Sequence, residues 1–118
     1  MNTDPDCLFC KIVAGELPAD IVFDNEYVVG FKDINPQAPV HVLFVPREHI
    51  PTANDLTEEH AELVGQVVLA ARAYAKAEGL ADDGYRLVMN CNSFGGQTVY
   101  HIHLHLLAGV KLPVGFGA

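Results

Sequence analysis

With 118 residues, half of them apolar, the chain is long enough to close one modest core without disulfides and too short to need a second domain. A formal net charge of −8 excludes the basic footprint that polymeric nucleic acid demands, although a single phosphate needs only a few N–H groups and imidazoles. The acidity is uneven, with Asp4, Asp6, Glu16, Asp20, Asp24 and Glu26 set against Lys11 alone in residues 1–26, whereas residues 61–118 balance.

Residues 1–6 read as a flexible, polar N-terminus without the basic start and apolar run of a secretory signal, and no stretch is long and apolar enough to span a membrane. An odd number of cysteines, three, then points to a reducing, cytoplasmic setting. Cys7 and Cys10 are free for metal or redox work there, and Cys91 reads as a small core residue.

Residues 7–15 place Leu8, Phe9, Ile12 and Val13 near helical spacing and stop at Gly15, which predicts a short helix. Residues 21–23 and 27–31 flank Asp24-Asn25-Glu26 and predict a hairpin. A two-proline loop, residues 33–39, leads into an apolar strand over residues 40–45, closed off by Pro46 and Pro51. Thr57 as cap, Glu58 and Glu59 at the positive dipole end and Gly79 as terminator bound a long helix. Val64, Val67, Val68, Ala71, Tyr74 and Ala75 form its core stripe, and Leu63, Leu69, Ala70 and Ala73 widen the apolar surface enough to serve either the core or a partner subunit. His60, in its first turn, reads as a solvated surface residue.

A turn at Asp82-Asp83-Gly84 precedes a strand over residues 85–90, and a polar loop over residues 91–98 leads into the run Tyr100-His101-Ile102-His103-Leu104-His105-Leu106-Leu107. Read as a strand, that run puts His101, His103 and His105 on one face at roughly 6.5 Å per step and Ile102, Leu104 and Leu106 on the other. A helix would scatter them. Residues 108–118 read as an irregular tail. Short connections between successive strands predict a mostly antiparallel α+β sheet of five strands, with one long helix and one short N-terminal helix.

Three imidazoles on one face exceed what a core usually satisfies, which leaves two functional readings. Neutral imidazoles at alternating positions can hold a catalytic zinc with an open position. Alternatively one ring nitrogen attacks phosphorus, provided the other nitrogen is held as a donor. Gly95-Gly96-Gln97-Thr98, just before the strand, offers N–H groups, an amide and a hydroxyl for phosphoryl oxygens, and favours the second reading. The Cys7-Leu8-Phe9-Cys10 spacing is compatible with a thiol pair, with packing or with a metal.

The run from His101 to Leu107 matches His-φ-His-φ-His-φ-φ, φ being apolar, and so resembles the histidine triad (HIT) family; residues 31–41, 45–50 and 84–90 extend the similarity. Within that family the chain is most similar to the nucleotide-binding Hint branch. The resemblance implies a HIT-like fold in one domain over residues 1–118, a homodimer whose sheet continues across the interface, and hydrolysis of purine nucleoside phosphoramidates, or related aminoacyl-adenylates, through a nucleotidyl-histidine. It implies His103 as nucleophile, and His105 as the group that contacts phosphate and helps protonate the leaving amine. Thr98 stands where the branch usually has serine, and His41 supports the tautomers of the triad. Asp33 would take the ribose hydroxyls, Ile34 would line the base pocket, and Asn90, Gly96 and Gln97 would bind near the phosphate. Asp33 reads equally well as a loop cap on its residue type alone. Some family members pair two cysteines with two histidines around a structural zinc, here Cys7, Cys10, His49 and His101, with no cofactor for the reaction itself. Two other functions compete: a dinucleoside polyphosphate hydrolase, suggested by Gln97-Thr98-Val99, and a nucleotide-binding regulatory module with incidental catalysis. Hint proteins often close the site with a C-terminal tryptophan, which this chain lacks; Phe116 is the aromatic residue of its tail.

Overall fold

The computed structural model describes residues 2–115, so Phe116 and the last residues of the tail lie outside the described part. The first element is α1 (Leu8–Val13), capped by Cys7, whose Sγ accepts the Cys10 N–H at 3.3 Å. Its exit needs a left-handed residue, supplied by Gly15 at φ +77°. Upstream, the stretch expected to be flexible makes backbone contacts: Cys7 N–H donates to the Asp4 carbonyl at 3.1 Å, and His49 N–H to that of Asn2 at 2.7 Å.

The predicted hairpin forms as β1 (Ile21–Asp24) and β2 (Val28–Lys32), and β3 (Val40–Pro46) follows. After two 3₁₀ turns comes α2 (Ala61–Ala77), then β4 (Arg86–Val88) and β5 (Leu104–Ala108). The strands make one antiparallel sheet in the order β1-β2-β3-β5-β4. β2 and β3 are apolar nearly throughout because helices cover both faces of the sheet.

Register assigns the two faces. Val42 and Phe44 lie opposite Leu106 and Leu104, and these four pack under α2 with Val28, Val67, Ala71 and Tyr74. The Phe44 ring lies across Gly30, where a Cβ would stand 2.8 Å from its Cε1, so only glycine permits this packing. The opposite face carries His41, Leu43 and Val45 beside Leu107 and His105, and meets α1 through Cys7, Phe9 and Cys10.

Three expectations change. The paired strand begins at Leu104, not at residue 100, because Pro46 has no N–H to extend the ladder and the Ile102 N–H donates instead to the Ile50 carbonyl at 2.8 Å. His101 and His103 therefore sit in extended chain just before the strand. The core stripe of α2 is rotated: Ala70 is buried with Val67, Ala71, Tyr74 and Ala75, whereas Val68 is 42% exposed and Leu69 51%. His60 is not merely solvated, for its Nδ1 accepts the Thr57 N–H at 2.9 Å in a reciprocal cap of the 3₁₀ turn Glu58–His60 that precedes α2, and its Nε2 lies 3.4 Å from Glu48. Among the described residues no helix is long and apolar enough to cross a membrane.

Candidate active site

A cleft of about 430 Å³ opens on the α1 face. Leu8, Phe9 and Ile12 of α1 and Phe31 of β2 form an apolar wall, while Asp33, Thr98, His103 and His105 supply polar groups along the same cleft. Ile34 also borders it, from the rim, and is 97% exposed.

The tautomers of four histidines follow from their partners, since a backbone N–H only donates and a carbonyl only accepts. Gln37 N–H donates to His41 Nδ1 at 3.0 Å, which leaves the ring proton on Nε2. That Nε2–H donates to His105 Nδ1 at 2.9 Å, so the proton of His105 sits on Nε2. His103 donates Nδ1–H to the His101 carbonyl at 2.7 Å and keeps a lone pair on Nε2. His101 donates Nε2–H to the Pro46 carbonyl at 2.8 Å, which frees Nδ1.

Burial keeps these rings neutral. Desolvation is the largest influence on each and lowers its pKa from the usual imidazole value of 6.5. His105 falls to about 4, with the neighbouring His103 and His41 adding to the effect. For His41 and His103 the Asp33 carboxylate pulls the other way. Asp33 stands 3.5 Å from His41 Nε2, and its other oxygen caps the loop by accepting the Asn35 N–H at 2.8 Å, the role its residue type alone suggests.

The loop before the triad differs from expectation. Gly95, Gly96 and Gln97 turn their N–H groups back onto the carbonyls of Asn92, Ser93 and Asn92 at 3.0–3.1 Å. The Gln97 amide is also committed, donating to Pro51 and Val99 carbonyls at 2.8 and 3.0 Å and accepting the Asn92 N–H at 2.9 Å. Gln97 thus braces the loop, and the backbone cradle read from Gly96 and Gln97 is closed on itself. Asn90 does likewise, donating to the Gly95 carbonyl at 2.6 Å. Of that group Thr98 faces the cleft. Sequence reasoning missed Phe9, whose ring meets His103 edge-on at 5.0 Å and 87°; its helical spacing marked it only as core.

On the other side of His101, four expected ligands converge. Cys7 Sγ and Cys10 Sγ lie 3.4 and 3.5 Å from His101 Nδ1, Cys10 Sγ lies 3.4 Å from His49 Nδ1, and the two Nδ1 atoms are 3.3 Å apart. A tetrahedron with Zn–S of about 2.3 Å and Zn–N of about 2.0–2.1 Å has N···N and N···S edges of roughly 3.3 and 3.6 Å. The donor set and its spacing fit a zinc ion. Both histidines offer Nδ1, and His49 Nε2 faces Asp4 at 3.9 Å, the kind of outer contact that orients a ligand ring.

Comparison with known proteins places the chain among relatives of known family. The family model described as "Scavenger mRNA decapping enzyme C-term binding" matches residues 6–114. The purine nucleoside phosphoramidase of Escherichia coli (strain K12) is 50% identical over 107 residues, 91% of this chain and 90% of that protein. A 14 kDa zinc-binding protein of Zea mays is 44% identical over 111 residues, covering 92% and 86% of the two chains. The crystal structure of a HIT family hydrolase from Legionella pneumophila superposes with a TM-score of 0.90 at 52% identity, over 92% of this chain and 96% of that one. Identity at this level over nine-tenths of the sequence, on the same fold and with the triad in place, establishes that the chain belongs to the histidine triad family.

Proposed function

We propose that the protein hydrolyses purine nucleoside 5′-phosphoramidates to the nucleoside monophosphate and a free amine. The observation that carries this reading is the fixed tautomer of His103, whose Nδ1–H is held by the His101 carbonyl while Nε2 keeps its lone pair in a ring that lines the cleft. Nε2 attacks phosphorus, the P–N bond to the amine breaks as that nitrogen takes up a proton, and water then cleaves the nucleotidyl-histidine. His105, a neutral donor through Nε2, binds a phosphoryl oxygen and assists departure of the amine, with the Thr98 hydroxyl beside it. Asp33 takes the ribose hydroxyls, and the apolar wall with Ile34 takes the base. Asn90, Gly96 and Gln97 serve the phosphate side by shaping the loop that presents Thr98.

Replacing His103 with alanine tests the assignment. Turnover of adenosine phosphoramidate should fall by a factor on the order of 10⁴ or more, and the nucleotidyl-enzyme should no longer be trapped by acid quench. Turnover near wild type would remove His103 as nucleophile. Comparing adenosine phosphoramidate, lysyl-linked AMP and a diadenosine polyphosphate separates this activity from dinucleoside polyphosphate hydrolysis.

We read Cys7, Cys10, His49 and His101 as a structural zinc site, on the fit of donors and spacing, and residues 1–118 as one domain. When bound, zinc would cross-link α1 to the segment entering β5. Metal analysis of protein purified without a histidine tag should find about one zinc per chain. We also read the protein as a homodimer, because the short edge strand β4 leaves a sheet edge to extend and α2 leaves Val68 and Leu69 outside the core. Sedimentation of Leu69→Glu against wild type tests that reading.

A further inference from the structure

The thiol cluster and the nucleophile meet in one residue. The His101 ring is fully buried and both of its nitrogens are engaged, Nδ1 toward the two thiols and His49, Nε2–H on the Pro46 carbonyl at 2.8 Å. Its own carbonyl holds the Nδ1–H of His103. A second path runs through α1, where Cys7 and Cys10 bracket Phe9, and the Phe9 ring stands edge-on to His103 at 5.0 Å and to His101 at 6.0 Å. With six residues, α1 is too short to be stable by itself and depends on what anchors it.

We propose that Cys7, Cys10 and His49 are positioning residues for His103: with zinc in their grasp they fix the His101 carbonyl and the Phe9 edge, and through these the direction of His103 Nε2. The proposal rests on the reading of His103 as nucleophile. It makes metal and nucleotide mutually dependent, because an ion that steadies α1 steadies the wall against which the base lies, and a bound nucleotide steadies the ligands in return.

The test begins with zinc-free protein, prepared by chelation, checked by circular dichroism and reloaded stepwise. Zinc occupancy comes from a chromogenic competitor, and AMP affinity, kcat, KM and the ring-nitrogen NMR signals of His103 at one pH are followed against it. Removing zinc should lower kcat by about 10-fold or more and shift the His103 ring signals. AMP should raise zinc affinity by the same factor by which zinc raises AMP affinity, about 5-fold or more. In His49→Gln, which leaves His101 and both thiols intact, kcat should recover only at the higher zinc concentrations that load the weakened site.

Folded zinc-free protein with unchanged kcat, a zinc affinity indifferent to AMP, or no zinc binding at all would each overturn the proposal. The two readings fail separately. Retained turnover in His103→Ala removes the nucleophile, whereas zinc–AMP reciprocity is a binding measurement and tests the coupling by itself.

Discussion

His41 passes its single ring proton toward His105 across 2.9 Å, and it can do so only because Gln37 N–H occupies the other nitrogen. Replacing His41 with alanine leaves His105 free to carry its proton on either nitrogen. The expected result is a loss of kcat on the order of 10²-fold with KM little changed, measured by steady-state turnover of adenosine phosphoramidate. An unchanged kcat would mean that the tautomer of His105 is set by something else.

Acid should unfold the protein earlier than its carboxylates alone would require. His105 has its pKa lowered to about 4 in the folded chain, against 6.5 as the ordinary value, so below pH 6.5 the unfolded state binds a proton that the folded state refuses. Stability contributed by keeping this ring neutral is intact above pH 6.5 and declines as pH falls toward 4; the lowered pKa of His41 acts in the same direction. The midpoint of urea unfolding should drop between pH 6.5 and 4 in wild type, and drop less in His105→Asn.

Gln97 gives a sharp separation between bracing and binding. Its amide satisfies the Asn92 N–H and the carbonyls of Pro51 and Val99, so Gln97→Ala strands three backbone groups and should destabilise the fold by about 2 kcal/mol in urea titrations. A direct substrate contact would behave otherwise, raising KM while leaving the unfolding midpoint in place.

Gly95 should tolerate no side chain. A Cβ there would stand 2.4 Å from the Cys91 carbonyl oxygen and 2.9 Å from the Cys91 nitrogen, both backbone atoms with little room to yield. Gly95→Ala should cost about 1–3 kcal/mol of stability and shift Thr98, which calorimetry and KM report together.

Much of this site is legible in the order of residues. Alternation of histidine with Ile102, Leu104 and Leu106 puts three imidazoles on one side because periodicity is a local property, whereas the Cys7-to-Cys10 spacing alone leaves thiol pair, packing or metal open, and His49 and His101 join it only through the family resemblance. What stays hidden depends on distant partners. The strand begins late because Ile50, half the chain away, takes the Ile102 N–H. Gly95 and Gly96 look like open donors until their turn directs them inward, and no pattern in residues 91–98 says which way an N–H points. Phe9 looks like any apolar helix residue, and only the packing of α1 on the sheet brings it to His103. The stripe on α2 trades Val68 for Ala70 because the angle at which a helix meets a sheet is fixed by both surfaces.

The sheet is one residue thick, and in β5 its two faces have different tenants: Leu104, Leu106 and Ala108 under α2, His105 and Leu107 on the other side, where His105 lines the cleft. Which side each residue of β5 serves is therefore a matter of parity. Inserting or deleting one residue between His101 and His105 would exchange odd for even, sending an imidazole into the oily side and a leucine into the cleft. Two-residue changes would preserve the side but move the ring by a full pleat. The loop over residues 91–98 is no freer to change length, because the N–H groups of residues 95–97 and the Gln97 amide tie it to Asn92, Ser93, Pro51 and Val99.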